Sequence, residues 1–232
     1  MMDAALILTG ILSEFLDLID KIICYFLAHI FSKLPMFSIL RKLEMGVFFF
    51  CYKQALKAES ENKDFEKYLK EQAESEYSHC YYFSTLEGVG LSMNSEELFN
   101  RGKKTNDWRK VDWNGSRYQA DGLSVNSLAG KMFFRGKTAD SYDWANKLAF
   151  MHVLENFQYI FYQQLSPYIQ SKDFFGLVAA EKNHAYQLKS YLFSLAGKWS
   201  CLFLLKWHLL KYCALFFVPI DFLILFIKYK LK

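Results

Sequence analysis

Two tetrads, Glu76-Tyr77-Ser78-His79 and Glu181-Lys182-Asn183-His184, set a glutamate three residues before a histidine. On a helix that spacing puts both side chains on one face. Each tetrad therefore offers a carboxylate and an imidazole to a common ligand, a donor pair suited to first-row transition ions. One such match carries little weight. With 13 glutamates and five histidines in 232 residues, chance alone gives roughly a quarter of a match. Two matches, each central to a predicted helix, are a stronger signal.

Two further glutamates fall on otherwise apolar stripes at helical spacing. One stripe reads Phe37, Leu40, Glu44, Val47, Phe48, Cys51, Ala55; the other reads Trp144, Leu148, Met151, Glu155, Tyr159, Tyr162. The tetrads sit on similar stripes, from Phe65 to Phe83 and from Phe174 to Tyr191. A carboxylate on a buried stripe needs compensation to stay charged, and a shared cation supplies it. The candidate metal ligands are thus Glu44, Glu76, His79, Glu155, Glu181 and His184. His152, three residues before Glu155, and Tyr159, four after it, are candidates to support that set. His152 is equally readable as a core residue, and Tyr159, like Tyr162, reads more readily as a core aromatic.

These residues require four helices. The spacing predicts them over about 35–58, 63–86, 141 or 143 to 166, and 172–196. Pro35 suits a first helical turn, Ser141 and Asp143 suit N-caps, and Gly88 and Gly197 suit the residues after helix ends. Ser166-Pro167 is expected to end the third helix. Glu44 and Glu76 are equidistant from residue 60, in a polar turn, and Glu155 and Glu181 are equidistant from residue 168. In an antiparallel hairpin, equidistant residues lie at one height, so each hairpin brings its two glutamates level. The expected class is all-α: a four-helix bundle over 35–197, with a crossover over 88–140 that contains short helices. Apolar terminal segments flank it, an amphipathic helix over 1–34 and a basic-ended segment over 198–232.

Hydrophobic residues make up 53% of the chain and charged residues 22%, a balance that excludes a polytopic membrane protein. Neither terminal segment has 18 uninterrupted apolar residues, so contact with a membrane surface is expected rather than a clear span. His29 and His208 fall in these segments, as interfacial or packed residues. Cys24, Cys51, Cys80, Cys201 and Cys213 are odd in number and scattered, which points to a reducing compartment. The first residues lack the positive region of a secretory signal. The expected location is intracellular, at the cytoplasmic face of a membrane. Between Arg101 and Lys137, nine basic residues stand against three aspartates. Lys103, Lys104, Arg109 and Lys110, interleaved with Trp108 and Trp113, could meet phosphates of lipid headgroups or of RNA. The apolar termini favour lipid over nucleic acid.

The order Glu, ExxH, Glu, ExxH over residues 36–197 resembles the ferritin-like di-iron carboxylate superfamily. That resemblance implies a ferritin-like bundle holding two iron ions, with manganese the alternative in either position. It implies that Glu76 and Glu181 contact both ions and that each histidine completes one. A broader similarity links the ligand set and amphipathic termini to membrane-bound demethoxyubiquinone hydroxylases. The implied activity is that of an oxygen-activating oxidoreductase, of hydroxylase or mono-oxygenase type, on a lipophilic small-molecule substrate, with an electron donor as partner. The alternatives are a non-catalytic iron-binding or assembly protein and a di-iron hydroxylase acting on RNA. Substrate, electron donor and oligomeric state are not legible in the sequence.

Overall fold

The computed structural model describes residues 4–33, 36–58, 63–91, 93–98, 100, 112–113, 116–117, 127–221 and 223–224. The fold class is all-α. Seven helices are named here: α1 (Ala4–Phe31), α2 (Met36–Ala58), α3 (Lys63–Glu87), α4 (Leu128–Phe133), α5 (Trp144–Ile169), α6 (Lys172–Ala196) and α7 (Ser200–Leu215). Single 3-10 turns, Ala139–Ser141 and Gly197–Trp199, precede α5 and α7. The chain divides into two compact units, one of residues 35–131 and 136–140, the other of residues 1–34, 132–135 and 141–232.

The first of these units is built on the α2–α3 hairpin. Asp64 and Glu66 lie in the first turn of α3, where carboxylates oppose the positive end of the helix dipole. The helix stops at Gly88, whose φ of 74° is open to a residue without Cβ. Leu40, Phe48, Cys51, Ala55, Leu69, Ala73, Cys80 and Phe83 fill the interface and are essentially inaccessible to solvent. Arg41 and Glu87 tie the open end together through a 2.7 Å ion pair.

In the other unit, α5 is central. It pairs with α6 as a hairpin and also receives α1 and α7. Asp143 caps its N-terminus, its side chain accepting a 2.8 Å hydrogen bond from the Asn146 N–H. The predicted stop at Ser166-Pro167 is corrected: Pro167 lies inside α5, which continues to Ile169. Proline takes its own N–H out of the helix ladder, but the helix continues past it, and the Gln170 N–H closes the last turn on the Ser166 carbonyl at 3.1 Å. The α6 helix then runs from Ser171 to Gly197, its N-cap and C-cap residues.

α1 presents Leu16, Asp20, Cys24, Ala28 and Phe31 as its buried stripe. Phe31 meets Phe161 of α5 edge-on at 5.3 Å. α7 buries Trp207 completely, with Phe133, Tyr142 and Phe150 each 5.1 Å from its ring. The indole N–H donates to Asn146 Oδ1 at 3.1 Å.

The segment between the hairpins contains short helices, as expected, and a short ladder that was not expected. Besides α4, the 3-10 turn and a helical turn over 95–98, it holds a two-residue antiparallel ladder, Asp112–Trp113 with Ser116–Arg117. Lys103, Lys104, Trp108, Arg109 and Lys110 lie outside the described residues, as does the side chain of Trp113.

Candidate metal centre

Each hairpin gathers two glutamates and a histidine. In α2–α3, His79 Nδ1 lies 3.5 Å from Glu76 Oε2 and 3.8 Å from Glu44 Oε2. In α5–α6, His184 Nδ1 lies 3.7 Å from Glu181 Oε2 and 3.8 Å from Glu155 Oε2. The geometry repeats because the sequence repeats it: one glutamate on the first helix, level with an i,i+3 pair on the second. All six residues are buried; the most exposed, His184, retains 6% of its surface and three of the glutamates none.

These buried glutamate–histidine groups can hold a metal ion. Within each trio the donor atoms lie within 4.8 Å of one another. Separations of 3.5–3.8 Å are at or beyond the limit of a hydrogen bond. They match the roughly 3–4 Å between two ligands that share an ion through bonds of about 2.0–2.2 Å. Two carboxylates removed from water also demand positive charge, which a neutral imidazole does not supply and a cation does.

The surroundings of the two trios differ. The Ser75 hydroxyl stands 3.4 Å from His79 Nε2, leaving Nδ1 directed at the glutamates. In the other unit, the Gln158 amide donates to Glu181 Oε1 at 3.2 Å. Neither residue is among the ligands that the motifs single out. Gln158 is three after Glu155 and Ser75 four before His79, so the helical spacing that selected the ligands also places these two beside them.

His152 is buried, and its Nδ1 lies 2.7 Å from the Ala185 carbonyl. A carbonyl only accepts, so this nitrogen carries the proton. Burial lowers the His152 pKa to about 4, against the opposing pull of that hydrogen bond. It therefore supports the backbone next to His184. Tyr159 is half-buried, and its hydroxyl accepts a 2.7 Å hydrogen bond from Gln163. The two terminal histidines separate. His29 is exposed, 2.9 Å from Lys33 Nζ, whereas His208 is buried and accepts from Lys211 at 3.3 Å.

Lys211 belongs to a second polar cluster. Its Nζ lies 2.6 and 2.5 Å from the two oxygens of Asp20, which is wholly buried. Burial pushes the Asp20 carboxyl up and the Lys211 ammonium down, and their mutual attraction opposes both shifts.

All five cysteines are free thiols, three of them buried. Burial raises the pKa of Cys24 and Cys80, so neither is a poised thiolate. Among the described residues, no helix is long and apolar enough to cross a membrane. Comparison with protein-family models, with curated proteins and with solved structures finds no match.

Proposed function

We propose that the chain is a ferritin-like four-helix bundle in which Glu44, Glu76, His79, Glu155, Glu181 and His184 hold two iron ions. The protein would then be a membrane-associated, oxygen-activating oxidoreductase with a lipophilic substrate. The observation that carries this reading is the duplicated trio: two hairpins, each with two buried glutamates within 4 Å of one imidazole nitrogen. Iron bound there would supply redox chemistry towards dioxygen. The chain contributes the rest. Glu44, Glu76, Glu155 and Glu181 balance the charge of two divalent ions, and His79 and His184 supply one neutral donor each. Phe48, Phe83, Met151, Phe174 and Leu177, all buried, keep the ligand stripes dry. A dry apolar setting suits an oxygenase, which must protect reactive species, better than an iron store, which needs an acidic entry route.

Membrane association is supported by the outward face of α1. Phe15, Leu18, Ile22, Tyr25, Phe26 and Ile30 are all more than half exposed, and they recur at helical spacing along the side away from Asp20 and Cys24. An amphipathic helix of this kind lies in the interface of a bilayer. In sequence, Lys228, Lys230 and Lys232 follow the apolar segment and would favour an anionic surface.

The test is to load reduced protein with iron, expose it to oxygen with extracted membrane lipids, and analyse the products by mass spectrometry. Oxygen uptake that requires reductant and yields an oxidised lipophilic product is expected. Iron oxidation without product, with accumulation beyond two ions per chain, would establish storage instead.

A further inference from the structure

The outward face of α1 has a finer pattern than amphipathicity requires. Phe15, Leu18, Ile22 and Tyr25 follow one another at intervals of three, four and three residues, and each is more than half exposed. That alternation is the seam of a coiled coil, in which the side chains of one helix enter the gaps of another. The buried stripe of Leu16, Asp20, Cys24 and Ala28 runs along the opposite side of the helix, so packing on α5 leaves the seam outside. Glu14 and Lys21 are both exposed, and each stands immediately before a seam residue. Seven residues apart, they are two turns from one another and share one flank of the seam with opposite charges. The other flank carries Ile19 and Phe26.

We propose that the outward face of α1 is a self-association seam: in water it pairs antiparallel with α1 of a second copy of this chain, and a bilayer competes for the same residues. Charge fixes the direction. A two-fold antiparallel pair sets each flank against the same flank of the second copy. With Phe15 level with Leu18 of the second copy, Glu14 stands within two residues of that copy's Lys21, about 3 Å along the axis. The two-fold repeats the contact, so a Glu–Lys pair lies on either side of the centre. A parallel pair would instead set Glu14 and Lys21 against the flank of Ile19 and Phe26, where no charge answers them. Exposed ion pairs are weak, so they select the arrangement, while the apolar seam taken out of water supplies most of the affinity. Only the competition with lipid rests on the membrane reading above. Because both occupants use the same side chains, the dimer and the membrane-bound chain exclude one another.

The experiment follows full-length protein, without lipid or detergent, by sedimentation velocity at low salt over a range of concentrations. Wild-type protein is expected to dimerise reversibly. Glu14→Lys sets like charges against each other on both sides of the centre, and Lys21→Glu does the same with the opposite sign. Each should weaken the dimer about 10-fold with helical content by circular dichroism unchanged, and the two substitutions together should restore it. A second arm measures how much uncharged phosphatidylcholine vesicle floats each protein, so that the charge changes do not act through the lipid. At equal concentration the single variants should float with less lipid than wild type, since fewer dimers must first dissociate. Wild-type protein that is monomeric throughout, or a dimer equally tight in the single variants, would overturn the seam. An equal lipid requirement in wild type and single variants would overturn the competition. No flotation of any of them would overturn the membrane reading, with the seam still decided by sedimentation.

Discussion

Burial decides the chemistry of individual side chains here. His152 and His208 are held neutral, with pKa values lowered to about 4 and about 3, chiefly by removal from water and then by the cations Lys211 and Lys189. In the unfolded chain both titrate near 6.5. As pH falls below that value the unfolded state binds protons that the folded state refuses. Stability is therefore complete above about pH 6.5 and is lost as pH falls towards 4, by about 1.4 kcal/mol per pH unit for each histidine. Urea unfolding of metal-free protein at pH 7, 6 and 5 should show this decline. His152→Gln, which keeps an N–H for the Ala185 carbonyl, should reduce its slope; equal stability at pH 7 and pH 5 would contradict the assignment. The residue scale was also the most legible in the sequence. The i,i+3 tetrads and the lone glutamates on apolar stripes named residues that the fold gathers into two trios. Gln158 is not legible in the same way, because its amide belongs to none of the ligand motifs.

Among the helices, the two hairpins were legible because several signals agree: equidistance from a polar turn, Asp143 as a cap, and Gly88 and Gly197 as stops. Pro167 misled because proline was read as an end, whereas the helix continues past it to Ile169 and the Gln170 N–H closes on Ser166. In α1, local spacing stops short of the burial pattern. Asp20 reads locally as part of a polar stripe with Glu14 and Asp17, but it is fully buried against Lys211, 191 residues away, a partner that no local period reveals. Such a pair joins α1 to α7 and raises a clear expectation. Removing one partner strands a buried charge, at a cost of about 3–5 kcal/mol, whereas replacing both with apolar groups is often neutral. Lys211→Met should therefore lower the urea midpoint sharply, and Asp20→Leu combined with Lys211→Met should restore most of it. Equal loss in the single and double variants would show that the pair matters only through packing.

For the molecule as a whole, composition argued against a polytopic membrane protein, and α1 carries a row of exposed apolar residues. Phe26 is 62% exposed and Tyr25 61%, which is costly in water and favourable at a bilayer interface. Full-length protein should float with vesicles of mixed neutral and anionic phospholipids. Phe15→Asp together with Phe26→Asp should release most of it, since both point away from the buried stripe. Flotation undiminished in that folded variant would move the contact elsewhere on the chain. What the sequence left illegible at this scale is substrate identity, which depends on the shape of a binding space rather than on any residue pattern.

The central proposal is that the six glutamate and histidine ligands hold a pair of metal ions. Manganese(II) tests it directly, because two such ions roughly 3.5–4 Å apart, as in dinuclear centres, couple their electron spins, whereas distant ions do not. Metal-free, full-length protein would be loaded with manganese(II) and its low-temperature electron paramagnetic resonance spectrum recorded. The account predicts about two ions per chain and the many-line spectrum of a coupled pair, reduced to a single-ion signal by Glu181→Ala. Two uncoupled six-line signals would show that the trios act apart, and no bound manganese signal would contradict the metal centre altogether.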